Sequence, residues 1–143
     1  PGERGAKLGH DVIMTPTSHC YFDYGQNKDE NTEPEGQHPL LTVEKVYSLD
    51  PAPETMPADA RKHILGAQAN LWSEYVAYPN RAEYAVLPRM AALCEVQWTP
   101  NEQKNFNNFK QRVDHMAAIY DLHHYVYALH LWPERFNHNR IEW

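Results

Sequence analysis

Two short apolar stretches, DVIMTP over residues 11–16 and HILGAQA over residues 63–69, decide how this chain folds. In each stretch the apolar residues run together instead of alternating with polar ones, which is typical of strands buried on both faces of a parallel sheet. A polar segment and then a helical pattern follow each stretch. Because this order is the repeating unit of (β/α) architectures, the sequence predicts an α/β fold with parallel strands.

Helix signals lie between and after these strands. Thr42 and Asn80 are predicted N-caps, and Pro88 is expected to kink the helix that Asn80 opens. The clearest helical pattern follows the segment TPNE over residues 99–102, which has the spacing of a capping box with proline at the first helical position. The predicted helices cover residues 43–49, 81–97 and 100–120.

The length of the chain limits how much of such a fold it can hold. A complete eightfold barrel of (β/α) units needs about 250 residues, whereas this chain has 143 and shows only two strand candidates. The sequence therefore predicts a part of a barrel. After residue 122 the composition is aromatic and apolar without a clear period, so the structure of that tail is left open.

The composition argues against several classes of function. The formal net charge of −6 comes without a dense run of Lys and Arg, so no nucleic-acid partner is expected. No apolar run approaches the roughly 20 residues of a membrane-spanning helix, so no span is expected. The histidines form no His-Glu-x-x-His arrangement, and Cys20 and Cys94 belong to no Cys-x-x-Cys motif. We expect no metal, no cofactor, and two cysteines buried as small apolar residues.

Two pairs of residues follow the predicted strands and are candidates for a binding site. Tyr21 and Asp23 follow the first strand, and Trp72 and Glu74 follow the second. In barrels of this type ligands bind beyond the C-terminal ends of the strands, and residues i and i+2 of an extended chain point to the same side. An aromatic ring packs on the C–H face of a sugar while a carboxylate accepts hydrogen bonds from its hydroxyls. The pairs therefore predict a sugar pocket.

Each of these residues also has a structural interpretation. Trp72 would then belong to the core, and Asp23 or Glu74 would cap a nearby helix or pair with a cation such as Arg81 or Arg89. Taken singly, each residue favours that interpretation. The occurrence of matching pairs at two successive strand ends favours the pocket.

Several segments resemble the β-N-acetylhexosaminidases of glycoside hydrolase family 20. They are DVIMTP (11–16), YFDY (21–24), GAQANLWSE (66–74) and PRMAALCEVQW (88–98), and they occur in the order and at the separations of that family. The resemblance runs from about residue 9 to about residue 121. It implies that residues 1–122 are the C-terminal portion of a (β/α)8 barrel, holding its last two parallel strands with their helices, and that residues 123–143 are a tail of unclear structure.

The resemblance also implies an activity. Members of this family remove terminal β-linked N-acetylglucosamine or N-acetylgalactosamine from glycans or chitooligosaccharides, and the acetamido group of the substrate is itself the nucleophile. A catalytic Asp-Glu pair lies earlier in the family's barrel, upstream of this chain. The pair Asp29 and Glu30 lacks the His-x-Gly-Gly that precedes the family's catalytic pair, so we reject it as the catalytic pair. The fragment alone is therefore expected to be inactive.

Roles for the four site residues also follow from the resemblance. Tyr21 is implied to bond the acetamide oxygen, Asp23 to bind sugar hydroxyls, and Trp72 to form the wall against which the sugar packs. Glu74 is implied to accept hydrogen bonds from hydroxyls at the far end of the ring. Three further residues of the matching segments, Pro88, Arg89 and Trp98, are expected to serve packing and receive no site role.

Two other functions remain open at this stage. The chain could belong to a non-catalytic module that binds N-acetylhexosamines, or it could be a purely structural α/β fragment. As part of an enzyme it would need the N-terminal part of the barrel as its partner. Family resemblance alone implies a secreted, periplasmic or lysosomal location.

Overall fold

The computed structural model describes residues 1–29 and 33–135, and its centre is a pair of parallel strands. Val12 pairs with Ile64 and Met14 with Ala67 in this ladder. The parallel pairing confirms the predicted α/β class. In chain order the elements are α1 (Gly2–Lys7), β1 (Val12–Met14), α2 (Thr17–Cys20), β2 (Tyr24–Gly25), β3 (Gln37–Leu40), α3 (Val43–Tyr47), α4 (Ala58–Arg61), β4 (Ile64–Ala67), α5 (Pro79–Val86), α6 (Arg89–Trp98) and α7 (Phe106–Leu122).

One face of the central pair, β1 and β4, is covered by helices, and the other is open within the described residues. Val12 and Ile64 pack on a small cluster formed by α1, α4 and the segment between α3 and α4. Ile13 and Leu65, which alternate with them, are 53% and 65% exposed. The prediction of strands buried on both faces therefore holds for only one face here, because no described element lies over Ile13 and Leu65.

The larger core lies between α3, α6 and α7. Its members include Val46 of α3, Leu93 of α6 and Val113 of α7, all buried. The short helix predicted after Thr42 is present as α3, and the Thr42 side chain accepts a hydrogen bond from the backbone N–H of Lys45 at 3.2 Å. This is the predicted N-cap.

The single kinked helix predicted over 81–97 is wrong, because the structure has two helices there. α5 ends at Val86, and α6 begins at Arg89. Leu87 between them is extended, with φ −101° and ψ 133°, as is typical of the residue before a proline. The predicted N-cap at Asn80 is also wrong, since Pro79 already occupies the first turn of α5.

The predicted start of the last helix is wrong by several residues. The segment 101–103 forms only a turn of 3₁₀ helix, and α7 begins at Phe106 with Asn105 as its N-cap. The Asn105 side chain accepts a hydrogen bond from the N–H of Asn108 at 3.0 Å. Between these elements the ammonium of Lys104 donates to the carbonyls of Tyr47 and Leu49, at 3.1 and 2.8 Å. These bonds hold the chain extended on α3, so the helix begins after them.

The first part of the tail packs on the same core. Tyr127, Leu129 and Trp132 are buried, and the Trp132 indole N–H donates to Asp114 of α7. The predicted domain limit at residue 122 coincides with the end of α7, and the division into barrel and tail stays a prediction. Glu30 of the rejected acidic pair and residues 136–143 of the tail lie outside the described residues.

The two cysteines differ in their environments. Cys20 is buried, and burial raises the pKa of its thiol to about 11. Cys94 is exposed, so its predicted burial is wrong for this chain. It lies in an apolar groove between α6 and α7, where the described residues place no element over it. In residues 1–29 and 33–135, no helix has the length and apolar content to cross a bilayer.

Candidate functional site

The segments that follow β1 and β4 come together at the C-terminal ends of these strands. After β1 the chain makes the single turn α2, and Tyr21 then forms a parallel bridge with Asn70, which follows β4. The N–H of Phe22 donates to the Asn70 carbonyl at 2.7 Å, and the N–H of Asn70 donates to the Cys20 carbonyl at 2.7 Å. This extension of the ladder places Tyr21 and Asp23 beside the residues that follow β4.

The aromatic residues of the two predicted pairs contact each other. The ring centroids of Tyr21 and Trp72 are 6.2 Å apart, and those of Tyr21 and Tyr24 are 5.7 Å apart. Trp72 is 50% exposed. Half of this residue is therefore uncovered among the described residues, and its role in binding a ligand stays a prediction.

Asp23 is a partly buried carboxylate near the second predicted acid. Burial is the main cause that raises its pKa, the negative charge of Glu74 raises it further, and the positive charge of Arg89 opposes both. The Asp23 Oδ1 atom is buried without a hydrogen-bond partner among the described residues. A buried oxygen that lacks a partner is costly, so this atom is suited to accept a bond from outside the chain.

Three of the four predicted residues line two adjoining clefts, and the fourth, Tyr21, contacts Trp72 beside them. Asp23 and Trp72 line a narrow cleft together with Tyr75 and Arg81. Glu74 lies on a turn of 3₁₀ helix and lines a wider, more open cleft that shares Tyr75 and Arg81 with the first. The structure thus brings the two pairs into one region, with Asp23 and Trp72 on one cleft and Glu74 on the other.

Arg89 contributes to this region, although the sequence indicated only packing. Its side chain is completely buried at the start of α6. Nε and Nη2 donate to the Ala85 carbonyl, Nη1 donates to the carbonyls of Tyr24 and Leu41 at 2.9 and 3.2 Å, and Nη2 also donates to that of Phe22.

Burial lowers the pKa of Arg89, while the nearby Glu33, Tyr84 and Asp23 raise it. Arg89 therefore does not pair directly with Asp23, as the structural interpretation suggested, but holds the backbone on both sides of it.

A second, partly buried network joins the loop between β2 and β3 to α5. The Glu33 carboxylate accepts hydrogen bonds from the backbone N–H groups of Gln26 and Asn27, at 2.8 and 3.0 Å, and from the Tyr84 hydroxyl at 2.5 Å. Gln26 is buried and donates to the Tyr84 and Leu87 carbonyls. No local signal in the sequence marks these residues, because polar side chains in a long loop are usually exposed.

This network yields a prediction about stability. Replacing Glu33 with glutamine exchanges one acceptor oxygen for an NH₂ group that faces other donors, so we expect the free energy of unfolding to fall by about 1–3 kcal/mol. Urea denaturation monitored by circular dichroism measures this change. The matched control is Glu35→Gln, because the Glu35 side chain is exposed in the same loop. Equal stability of the two variants would contradict the prediction.

Residues 2–101 match the family model described as "Glycosyl hydrolase family 20, catalytic domain". The chain belongs to glycosyl hydrolase family 20. A β-hexosaminidase of Porphyromonas gingivalis is 40% identical over 135 residues, which are 94% of this chain and 17% of that protein. A β-hexosaminidase of Akkermansia muciniphila is 31% identical over 118 residues, 82% of this chain and 23% of the relative. The chain thus spans about a fifth of these relatives.

Solved structures of family 20 share the fold. An inactive D437A mutant of the exo β-N-acetylglucosaminidase from Vibrio harveyi matches with a TM-score of 0.79 and 30% identity, over 88% of this chain and 20% of that one. The same enzyme in complex with N-acetylglucosamine matches with a TM-score of 0.77 and 29% identity, over 91% of this chain and 20% of that one. Because the structural neighbours are barrel enzymes of family 20, the prediction that this chain is a portion of a (β/α)8 barrel is confirmed.

Proposed function

We propose that this chain forms one wall of the active site of a β-N-acetylhexosaminidase. The complete protein would hydrolyse terminal β-linked N-acetylglucosamine or N-acetylgalactosamine. Membership of family 20 and the names of the relatives from Porphyromonas and Akkermansia support this proposal. The Vibrio harveyi neighbour was crystallised with N-acetylglucosamine, which supports the same class of ligand for this chain.

The observation that carries the proposal is the position of Trp72 beside Asp23 in one cleft. Half of the indole is free, and one Asp23 oxygen is buried without a partner in the described chain. The C–H face of a hexosamine ring would pack on the indole, and a ring hydroxyl would donate to the Asp23 oxygen. Together these contacts satisfy both groups that the described residues leave open.

Tyr21 would position the reacting group of the substrate. In the proposed reaction the acetamide oxygen attacks the anomeric carbon, forming the oxazolinium C–O bond as the bond to the leaving oxygen breaks. The Tyr21 hydroxyl would donate to that acetamide oxygen and aim it, which lowers the entropic cost of reaching the reactive geometry. Glu74, which lines the adjoining cleft, would accept hydrogen bonds from hydroxyls at the far end of the ring. The acid that protonates the leaving oxygen would come from the Asp-Glu pair upstream of this chain.

Sugar binding is expected to weaken as the pH falls through the raised pKa of Asp23. Burial is the main cause of the increase, and the charge of Glu74 adds to it. The ionised carboxylate accepts hydrogen bonds on both oxygens, whereas protonation on the acid side converts one of them to a donor. We therefore expect the inhibition constant of N-acetylglucosamine to rise as the solution is acidified. In Asp23→Asn the same curve should be flatter, and an unchanged pH dependence would contradict the role of Asp23.

A chromogenic N-acetylglucosaminide assay tests the function directly. It is run on the 143-residue chain and on the complete protein that contains it. Hydrolysis by the complete protein alone is the expected result, because the proposed catalytic acids are not in this chain. Binding of N-acetylglucosamine by the complete protein without hydrolysis would indicate a non-catalytic sugar-binding module instead. If the complete protein neither binds N-acetylglucosamine nor hydrolyses the substrate, only a structural role is left.

A further inference from the structure

Arg89 satisfies all its donors on backbone carbonyls, which is unusual for a fully buried cation. A guanidinium carries five N–H donors, and here they make five hydrogen bonds to four carbonyls. None of these bonds goes to a carboxylate, and a buried charge is expensive to desolvate, whereas an apolar side chain of similar volume would avoid that cost. Packing alone therefore does not account for an arginine at this position.

Two of the four carbonyls bracket Asp23. Nη2 holds the Phe22 carbonyl and Nη1 holds the Tyr24 carbonyl, so one rigid planar group fixes peptide planes on both sides of the acid. Fixing these planes constrains the backbone dihedral angles between them, and these angles set the direction in which the Asp23 side chain leaves the backbone. The Phe22 ring lies 4.8 Å from the guanidinium carbon, which holds the guanidinium from one face.

The other carbonyls anchor the guanidinium to the scaffold. Ala85 belongs to the last turn of α5, and Leu41 follows β3. Arg89 thus joins α5, α6 and the loop that carries the proposed sugar acid. A lysine could not replace it, because an ammonium has three donors on a single atom and cannot span the separate carbonyls in one plane.

We propose that Arg89 is a positioning residue for Asp23: it fixes the carbonyls on both sides of this acid so that the carboxylate faces the sugar cleft. This inference rests on the proposed function, in which Asp23 binds sugar hydroxyls. Arg89 does not touch the sugar in this arrangement. Its effect on catalysis therefore passes through Asp23.

A double-mutant cycle on the complete protein tests this route. We expect Arg89→Lys to lower kcat/KM about 10-fold and Asp23→Asn to lower it about 100-fold, since misplacing a binding group by about 1 Å costs up to about 100-fold. If Arg89 acts through Asp23, the double variant retains the activity of Asp23→Asn, about 100-fold below the unmodified protein, instead of the roughly 1000-fold loss that independent effects give.

Gln26→Met is the matched control. Gln26 is also a buried side chain that donates to two carbonyls, those of Tyr84 and Leu87, but it does not bond to the residues flanking Asp23. Its effect on kcat/KM should add to that of Asp23→Asn. Additivity of Arg89→Lys with Asp23→Asn would overturn the inference and leave Arg89 as a structural residue. An Asp23→Asn variant with unchanged kcat/KM would overturn the proposed function of Asp23, and this inference with it.

Phe22→Leu provides a second route if Arg89→Lys does not fold. The variant keeps all the donors of Arg89 and removes the ring that packs on its guanidinium. We expect kcat/KM to fall by about threefold, because the guanidinium is less firmly held, and the loss should disappear in the Asp23→Asn background. A threefold loss that persists in that background would contradict the proposal.

Discussion

Replacing Tyr21 with phenylalanine is expected to lower kcat of the complete protein about 100-fold, the scale found when one positioned hydrogen-bond donor is removed from an active site. KM should change much less, because the ring remains and continues to pack against Trp72 and Tyr24. The lost hydroxyl is the group proposed to aim the acetamide oxygen at the anomeric carbon. Steady-state hydrolysis of a chromogenic N-acetylglucosaminide measures both constants.

Tyr78→Phe is the control for this experiment. Tyr78 is an exposed tyrosine of the same region that lines the wider cleft, whereas Tyr21 is partly buried and contacts Trp72. Its loss of a hydroxyl should leave kcat within about twofold, as expected of a surface change. Unchanged turnover in Tyr21→Phe would remove the positioning role from Tyr21.

Replacing Trp72 with alanine is expected to raise KM about 30-fold. If the indole covers about 80 Å² of apolar sugar surface, at about 25 cal/mol per Å² it contributes about 2 kcal/mol to binding. The folded state should be little affected, because half of the side chain is already in solvent. Inhibition by N-acetylglucosamine and thermal unfolding of the same variant separate binding from stability.

Trp72→Phe completes this series. A phenyl ring keeps an aromatic face in the cleft with less area than indole, so its effect on KM should fall between those of the native residue and alanine. A loss of stability that matches the loss of binding in Trp72→Ala would instead indicate that the residue supports the fold.

The strands were predictable because their signal is local. An uninterrupted apolar run such as 11–16 favours a buried parallel strand whatever its neighbours are. The ladder between Val12 and Ile64 confirms this for β1 and β4. Parallel strands deliver the residues that follow them to the same edge, and the bridge between Tyr21 and Asn70 shows this for β1 and β4. That these residues form a sugar site stays a prediction.

Helix ends were less predictable because several local signals compete. Thr99 and Asn105 can both serve as N-caps, and the sequence favoured Thr99. The choice of Asn105 depends on Lys104, whose ammonium bonds to the carbonyls of Tyr47 in α3 and of Leu49 just after it, more than fifty residues away. Such a contact exists only after the chain has packed, so no window of sequence contains it.

The sequence by itself determined the class of fold, the family, and the spacing that puts an aromatic ring and an acid after each strand, because these depend on periodicity and order along the chain. Only the tertiary structure decided that Arg89 is buried and bonded to the carbonyls on both sides of Asp23, and that Glu33 anchors the loop between β2 and β3 to Tyr84. A charged side chain looks solvent-exposed in sequence, and its burial depends on carbonyls and hydroxyls supplied by distant segments that meet only in the folded chain.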